Sequence, residues 1–117
     1  MSLPQIKRIY FETGELKEEF FEINGIKEGI YKLYYKNGNI YYISNYVNGK
    51  LNGELISYYE KGNIMQICNY VNGKLNGEYK KYDGVGNLIT TKIYERSDEV
   101  SDDESVDDVN NVEVEVE

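Results

Sequence analysis

The sequence predicts an all-β protein, an antiparallel meander of tandem β-hairpin repeats that forms one elongated, twisted sheet. Three observations support this prediction: the chain repeats itself every 24 residues, each repeat holds two runs rich in Tyr, Ile and Val, and Asn-Gly pairs separate these runs. Branched and aromatic residues favour strands, and Asn-Gly favours tight hairpin turns. Because short connections make sequential strands antiparallel neighbours, hairpin should follow hairpin in a single sheet.

The repeat domain is predicted to span residues 1–95, with a partial repeat at 6–23 and full repeats at 24–47, 48–71 and 72–95. Nine glycines recur at the same three positions of the full repeats. They are Gly25, Gly49 and Gly73; Gly29, Gly53 and Gly77; and Gly38, Gly62 and Gly86. A phosphate-binding loop would need a Lys-Ser/Thr pair and a following helix. The sequence has neither, so we assign these glycines to structural turns.

The repeat pattern sets the position of each strand. Strands are expected near 6–12, 15–23, 28–36, 39–47, 52–60, 63–71, 77–83 and 87–95. Between two aromatic runs, Asn37-Gly38 predicts a type I′ turn, in which both central residues take positive φ. The other junctions, NGIKEG at 24–29 and NGKLNG at 48–53 and 72–77, are expected to be longer loops.

Charge is distributed very unevenly along the chain. The net charge is −8, but residues 1–95 carry 12 Lys or Arg against 11 Asp or Glu, so the acidic tail, residues 96–117, holds the whole excess. The tail has the composition of a disordered, solvating segment. Its Val-Glu alternation at 112–117 also favours a strand that could cover a sheet edge, its own or a partner's. The body has no basic patch, which argues against nucleic acid and against anionic membranes as partners.

Catalytic chemistry has little to use in this sequence. The chain has no His, so it has no imidazole base and no His metal ligand, and Cys68 is its one cysteine. We therefore expect no enzyme activity, no catalytic residue, no metal and no cofactor. The lone cysteine cannot form an internal disulfide, and the first residues lack the regions of a signal peptide. An intracellular, cytoplasmic protein is expected, in the virion or the host cytoplasm if its source is viral.

The pattern NGKLNGE…YYEKGN…NYVNGKLNG, within about residues 9–95, resembles the MORN repeat. The resemblance is to the variant found in bacterial antitoxin-like proteins and in many giant-virus and protist proteins. The commoner MORN form places GxGxY after its turn, whereas Gly29 is followed here by Ile30-Tyr31 and Gly53 by Glu54-Leu55. The resemblance implies a β-hairpin array used for protein–protein contacts, sometimes associated with phospholipid, and no catalysis by the repeats.

Tyrosine columns supply the candidate interaction face. Its residues are Tyr34, Tyr35, Tyr58, Tyr59 and Tyr82. Aromatic columns also arise from cross-strand packing, which we expect for Tyr46, Tyr70 and Tyr94. For the column of Tyr35 and Tyr59 both interpretations stay open, because the third full repeat has Asp83 there.

These observations predict a non-catalytic interaction or scaffold module that binds a protein partner. One alternative is a structural component of a larger assembly, a virion or a homo-oligomer joined through sheet faces or edges. Another is a peripheral membrane-binding or antitoxin-like protein, although the charge distribution disfavours the membrane.

Overall fold

The computed structural model describes residues 2–95, and strands account for 66% of these residues. The strands are β1 (Gln5–Tyr10), β2 (Leu16–Ile23), β3 (Ile26–Tyr34), β4 (Ile40–Val47), β5 (Lys50–Leu51), β6 (Gly53–Tyr58), β7 (Ile64–Val71), β8 (Lys74–Leu75), β9 (Gly77–Tyr82) and β10 (Leu88–Tyr94). No helix occurs within this part of the chain. The predicted all-β meander is confirmed, whereas the acidic tail and its Val-Glu alternation lie outside the described residues.

The strands follow one another through a single open sheet. Its order is β1-β2-β3-β4-β6-β7-β9-β10, with antiparallel neighbours throughout. The eight long strands begin and end within about two residues of their predicted positions. The short strands β5 and β8 were not predicted. They pair back onto β4 and β7, so the NGKLNG junctions are small hairpins rather than loops.

Two kinds of turn alternate along the sheet, and the type I′ prediction for Asn37-Gly38 is wrong. Positive φ at both central residues occurs instead at Asn48-Gly49, with values of 52° and 81°, and at the equivalent Asn-Gly pairs of the neighbouring repeats. At Asn37-Gly38 only the glycine is positive, at 95°. There the Asn37 side chain accepts a hydrogen bond from the Asn39 N–H, 2.9 Å away, and the Gly38 N–H bonds the Tyr35 carbonyl. These bonds fix a wider turn with a bulge in the following strand. All nine turn glycines take positive φ, between 80° and 108°.

Opposed residues of antiparallel strands point to the same side, so the register defines two faces. The packed face carries the ladder Ile9, Glu18, Leu33, Tyr42, Ser57, Gln66, Lys81 and Thr90. The open face carries the ladder Arg8, Glu19, Lys32, Ile43, Ile56, Ile67, Lys80 and Thr91. Each ladder runs from one edge of the sheet to the other.

The hydrophobic core lies on the packed face, in the C-terminal half of the sheet. Its buried members are Leu55, Cys68, Tyr70, Leu75, Tyr79 and Tyr94. Leu75 belongs to β8 and pairs with Tyr70, so the small hairpin adds its leucine to this face. Removing such side chains from water is the main source of stability. Because the packed face holds this core, the open face remains for other uses.

Candidate interaction surface

Two of the candidate tyrosines join consecutive repeats. The Tyr35 hydroxyl donates to the backbone carbonyl of Tyr58 at 2.7 Å, and the Tyr59 hydroxyl donates to the carbonyl of Tyr82 at 2.7 Å. Both rings are half-buried. Each hydroxyl thus reaches the equivalent turn of the next repeat, and we call these two contacts the tyrosine latches. The geometry gives this column a structural task in addition to any contact with a partner.

Asparagine side chains reinforce the same junctions. The Asn39 side-chain amide donates to the Glu60 carbonyl at 2.8 Å, and the Asn63 amide donates to the Gly84 carbonyl at 2.9 Å. The first two full repeats therefore each send a tyrosine and an asparagine donor forward to the next turn. Such nearest-neighbour contacts stabilise a repeat array because each unit cannot bury its surface alone.

The other three candidate tyrosines lie on the open face. Tyr34, Tyr58 and Tyr82 each follow by two residues a member of the open-face ladder, and alternate residues of a strand share a face. All three are half-buried. The five candidates do not form one platform, since Tyr35 and Tyr59 insert between turns while these three face outward.

An open depression of about 380 Å³ lies where the partial repeat meets the first full repeat, close to their turns. Its lining includes Phe11, Lys17, Tyr34, Tyr35 and Tyr41. The Tyr35 and Tyr41 rings stack with centroids 4.7 Å apart, and the Lys17 ammonium lies 5.7 Å from the Phe11 centroid. The depression opens where Phe11 stands in the column of Tyr35 and has no hydroxyl to form a latch.

The N-terminal half of the packed face holds an aromatic cluster, and the side chain of Lys27 lies among its rings. The Lys27 ammonium lies 5.1 Å from the Phe20 ring centroid, 5.7 Å from that of Tyr31 and 5.6 Å from that of Tyr46. The Tyr31 hydroxyl donates to a Glu18 carboxylate oxygen at 2.6 Å. Burial, together with that carboxylate, raises the pKa of Tyr31. Because Lys27 occupies the cation–π position, this cluster serves packing.

The remaining tyrosine column packs as expected. Tyr70 and Tyr94 are 3% and 2% exposed and belong to the core, and Tyr46 is half-buried with its ring edge against Tyr31. Their column thus lies on the packed face in all three full repeats.

Three polar side chains are buried beneath these aromatic rings. Ser44, Ser57 and Gln66 are at most 1% exposed. Gln66 accepts a hydrogen bond from the Tyr79 hydroxyl at 2.8 Å, but its amide nitrogen and both serine hydroxyls make no hydrogen bond among residues 2–95. A buried polar atom without a partner lowers stability, so these positions weaken the packed face.

The lone cysteine of the described residues is poorly placed for nucleophilic chemistry. Cys68 is 1% exposed, and burial, with a smaller effect of Glu54, raises the pKa of its thiol to about 12. The nucleophilic thiolate is therefore scarce at neutral pH. Within residues 2–95, no group of three or more acidic or cysteine side chains could hold a metal ion. Nor do these residues include a helix that is long and apolar enough to cross a membrane.

The open face presents an apolar band that the sequence pattern alone does not reveal. Ile43, Ile56 and Ile67 are consecutive partners across β4, β6 and β7, and all three are half-buried. Lys32 precedes them in the ladder and Lys80 follows them. No other strand of the described chain lies over this face. Ile43 and Ile67 recur at the 24-residue period, but their contact with Ile56 follows only from the register between strands.

Further apolar side chains lie toward the N-terminal edge of the same face, beside the charged ladder residues Lys32 and Glu19. Ile6 and Phe21 are direct partners, and Ile30 precedes the ladder residue Lys32 by two positions. Their exposed fractions are 42%, 38% and 44%. Apolar side chains grouped on one face and bordered by charge are typical of interaction sites.

Comparison with known families supports the repeat assignment. The model described as "MORN repeat variant" matches residues 27–48 and 51–72, which contain the hairpins β3–β4 and β6–β7. No curated protein and no solved structure matches the chain. MORN repeats are generally protein- or membrane-interaction modules, and the family is generally non-enzymatic. The periodic turns, the antiparallel hairpin array and these two matches show that residues 27–48 and 51–72 are MORN-variant repeats.

Proposed function

We propose that the protein is a non-catalytic scaffold whose open face binds a protein partner. The observation that carries this proposal is the apolar band of Ile43, Ile56 and Ile67 on a face over which no described strand lies. Apolar surface that stays in water gains free energy on burial against a partner, at about 25 cal/mol per Å². Three directly opposed isoleucines give such a partner a continuous contact.

Charges around the apolar band favour a protein over a lipid surface or a nucleic acid. Lys32 and Lys80 border the band along its ladder, while Glu54 and Glu78 lie two residues from ladder members on the same face. Residues 1–95 are nearly neutral, with a net charge of +1. An apolar centre within mixed charges matches the usual anatomy of protein interfaces.

The test is capture of a partner by variants that differ only at the surface. Wild-type protein would be compared with Ile56→Lys as baits in extracts of the source cells, with identification of the retained proteins. Val85→Lys is the matched control, since Val85 is 79% exposed in the turn before β10. Thermal unfolding should first establish that both variants fold. If Ile56→Lys does not fold, Ile30→Lys takes its place.

We expect the wild type and Val85→Lys to retain the same partner and Ile56→Lys to lose it. Equal retention by all three baits would exclude the open face as the interface. Retention of nothing by the wild type would count against the scaffold function as a whole.

A structural role in a homo-oligomer is the second candidate, and the exposed edge strand β10 favours it. Ile89 and Ile93 of this strand are 54% and 61% exposed, and β10 pairs on one side only within the described sheet.

A further inference from the structure

The outer edge of β10 presents backbone groups that are ready to pair with another strand. In the two preceding repeats, the carbonyls of Asn45 and Asn69 accept hydrogen bonds from the next repeat. Ile93 occupies the same column, so its backbone groups point away from β9. Because backbone direction alternates along a regular strand, those of Thr91 point the same way, whereas Ile89 is the extra residue of a bulge against β9. An exposed row of this kind is a template for a further strand.

The two edges of the described sheet differ in their protection. At the β1 edge, Lys7 and Arg8 are adjacent charges in an exposed strand, and Pro4 directly precedes it. Charges and proline are common protections against strand addition. The β10 edge has a single charge, Lys92, and two prominent apolar side chains, Ile89 and Ile93. Of the two, β10 is therefore the edge open to pairing.

The sequence of β10 is complementary to itself in an antiparallel arrangement. A two-fold axis at Thr91 places Thr91 opposite Thr91 of a second copy, so that the outward backbone groups of the two threonines meet. The same register brings Ile93 beside Ile89 of the second copy and Lys92 beside Thr90. Thr–Thr and branched apolar pairs are favourable across strands. A register centred on Lys92 would instead oppose two like charges.

Head-to-tail growth through β10 and β1 is disfavoured by the last turn. There Asp83 stands where Tyr35 and Tyr59 form latches, and its carboxylate accepts hydrogen bonds from the Asn87 N–H at 2.9 Å and the Val85 N–H at 3.0 Å. Those bonds lower the pKa of Asp83, and the bond from the Asn87 N–H has the largest effect. The Asn87 side-chain amide donates to Asp83 at 3.1 Å. The equivalent amides of Asn39 and Asn63 instead donate to the next turn. The third full repeat thus has neither forward donor.

We propose that a second copy of this chain binds at the β10 edge, joining two sheets through a two-fold axis at Thr91. The result is a closed dimer, because an isologous interface uses up the edge that forms it. This inference rests on the second candidate function, the homo-oligomer, and is independent of the first, since it uses the sheet edge and not the isoleucine band of the open face.

The test measures the mass of the full-length chain in solution by light scattering after size-exclusion chromatography, over a range of concentrations. We expect a mass near twice the 13.6 kDa of one chain. The double variant Ile89→Lys/Ile93→Lys places like charges across the joint and should give the mass of one chain. Val85→Lys, an exposed change outside the strand, should keep the mass of the dimer.

A charge-reversal experiment tests the register. The variant Ile89→Glu/Ile93→Glu should also be monomeric alone, and mixing it with the lysine variant should restore the mass of two chains. Ile56→Lys on the open face should leave the dimer intact, which separates failure of this inference from failure of the proposed function.

Three results would overturn the inference: a monomeric wild type at every concentration, a lysine variant with the wild-type mass, or a mixture that stays monomeric. Hydrogen exchange at the Thr91 and Ile93 amides identifies a different occupant. Protection that rises with concentration supports the dimer, whereas concentration-independent protection in a monomer assigns the edge to the chain itself and overturns it.

Discussion

Removal of one tyrosine latch should measurably weaken the repeat array. Tyr59→Phe keeps the ring but deletes the hydroxyl that donates to the Tyr82 carbonyl at 2.7 Å. The half-buried carbonyl then loses a donor, at a net cost of about 0.5–1.5 kcal/mol. For a domain of this size, a change of about 1 kcal/mol shifts the melting temperature by roughly 4–8 °C. We expect Tyr59→Phe to lower the melting temperature by that amount.

Thermal unfolding followed by circular dichroism is the measurement, with Tyr35→Phe and the double variant beside Tyr59→Phe. The two latches lie at different junctions, so their free-energy costs should add. Tyr10→Phe is the matched control, because Tyr10 is 55% exposed and its hydroxyl forms no latch. The control should melt with the wild type.

The chain also allows the reverse experiment. Phe11 occupies the latch column of the partial repeat, where a hydroxyl could reach the Tyr34 carbonyl. Phe11→Tyr should therefore raise the melting temperature. If Tyr59→Phe melts with the wild type while the double variant also shows no loss, the latches do not hold the repeats together and the reasoning is refuted.

Four further outcomes are expected. Gly38→Val should lower the melting temperature far more than Lys36→Ala, because φ of 95° at Gly38 strains a branched residue by ~1–3 kcal/mol; similar melting of both would contradict the turn geometry. Ser57→Ala should raise the free energy of unfolding by about 1 kcal/mol, since it removes a buried hydroxyl without a partner among the described residues; chemical denaturation measures this, and a loss of stability would show that the hydroxyl is satisfied. Cys68 should resist thiol reagents at pH 8 until the protein is unfolded, because it is buried and its pKa is about 12; rapid native labelling would count against the packed core. Burial raises the pKa of Tyr42 to about 12, whereas the unfolded chain releases this proton near pH 10, so the contribution of Tyr42 to stability should be constant below about pH 9 and be lost as pH rises from about 10 to 12; denaturation midpoints at pH 8 and pH 11 test the sign.

The turn assignments show where prediction from the sequence succeeded and where it failed. The 24-residue period located all eight long strands, because glycines recur at the turns and aromatic residues recur within the strands. The sequence also marked every Asn-Gly pair as a turn, but it assigned type I′ geometry to Asn37-Gly38. The Asn37 side chain instead bonds the Asn39 N–H, and Asn48-Gly49 adopts the type I′ turn. Two identical Asn-Gly pairs thus adopt different turns, because residues outside the pair form different contacts.

The candidate interaction face was likewise only partly predictable from the sequence. The sequence by itself determined the strand order and the columns of Tyr35 and Tyr59, since both follow from periodicity and short connections. Only the tertiary structure decided that these hydroxyls latch onto the next repeat, and that Ile56 completes a band with Ile43 and Ile67. The physical reason is register: side chains alternate between faces, so a shift of one residue between repeats would exchange the packed and open faces.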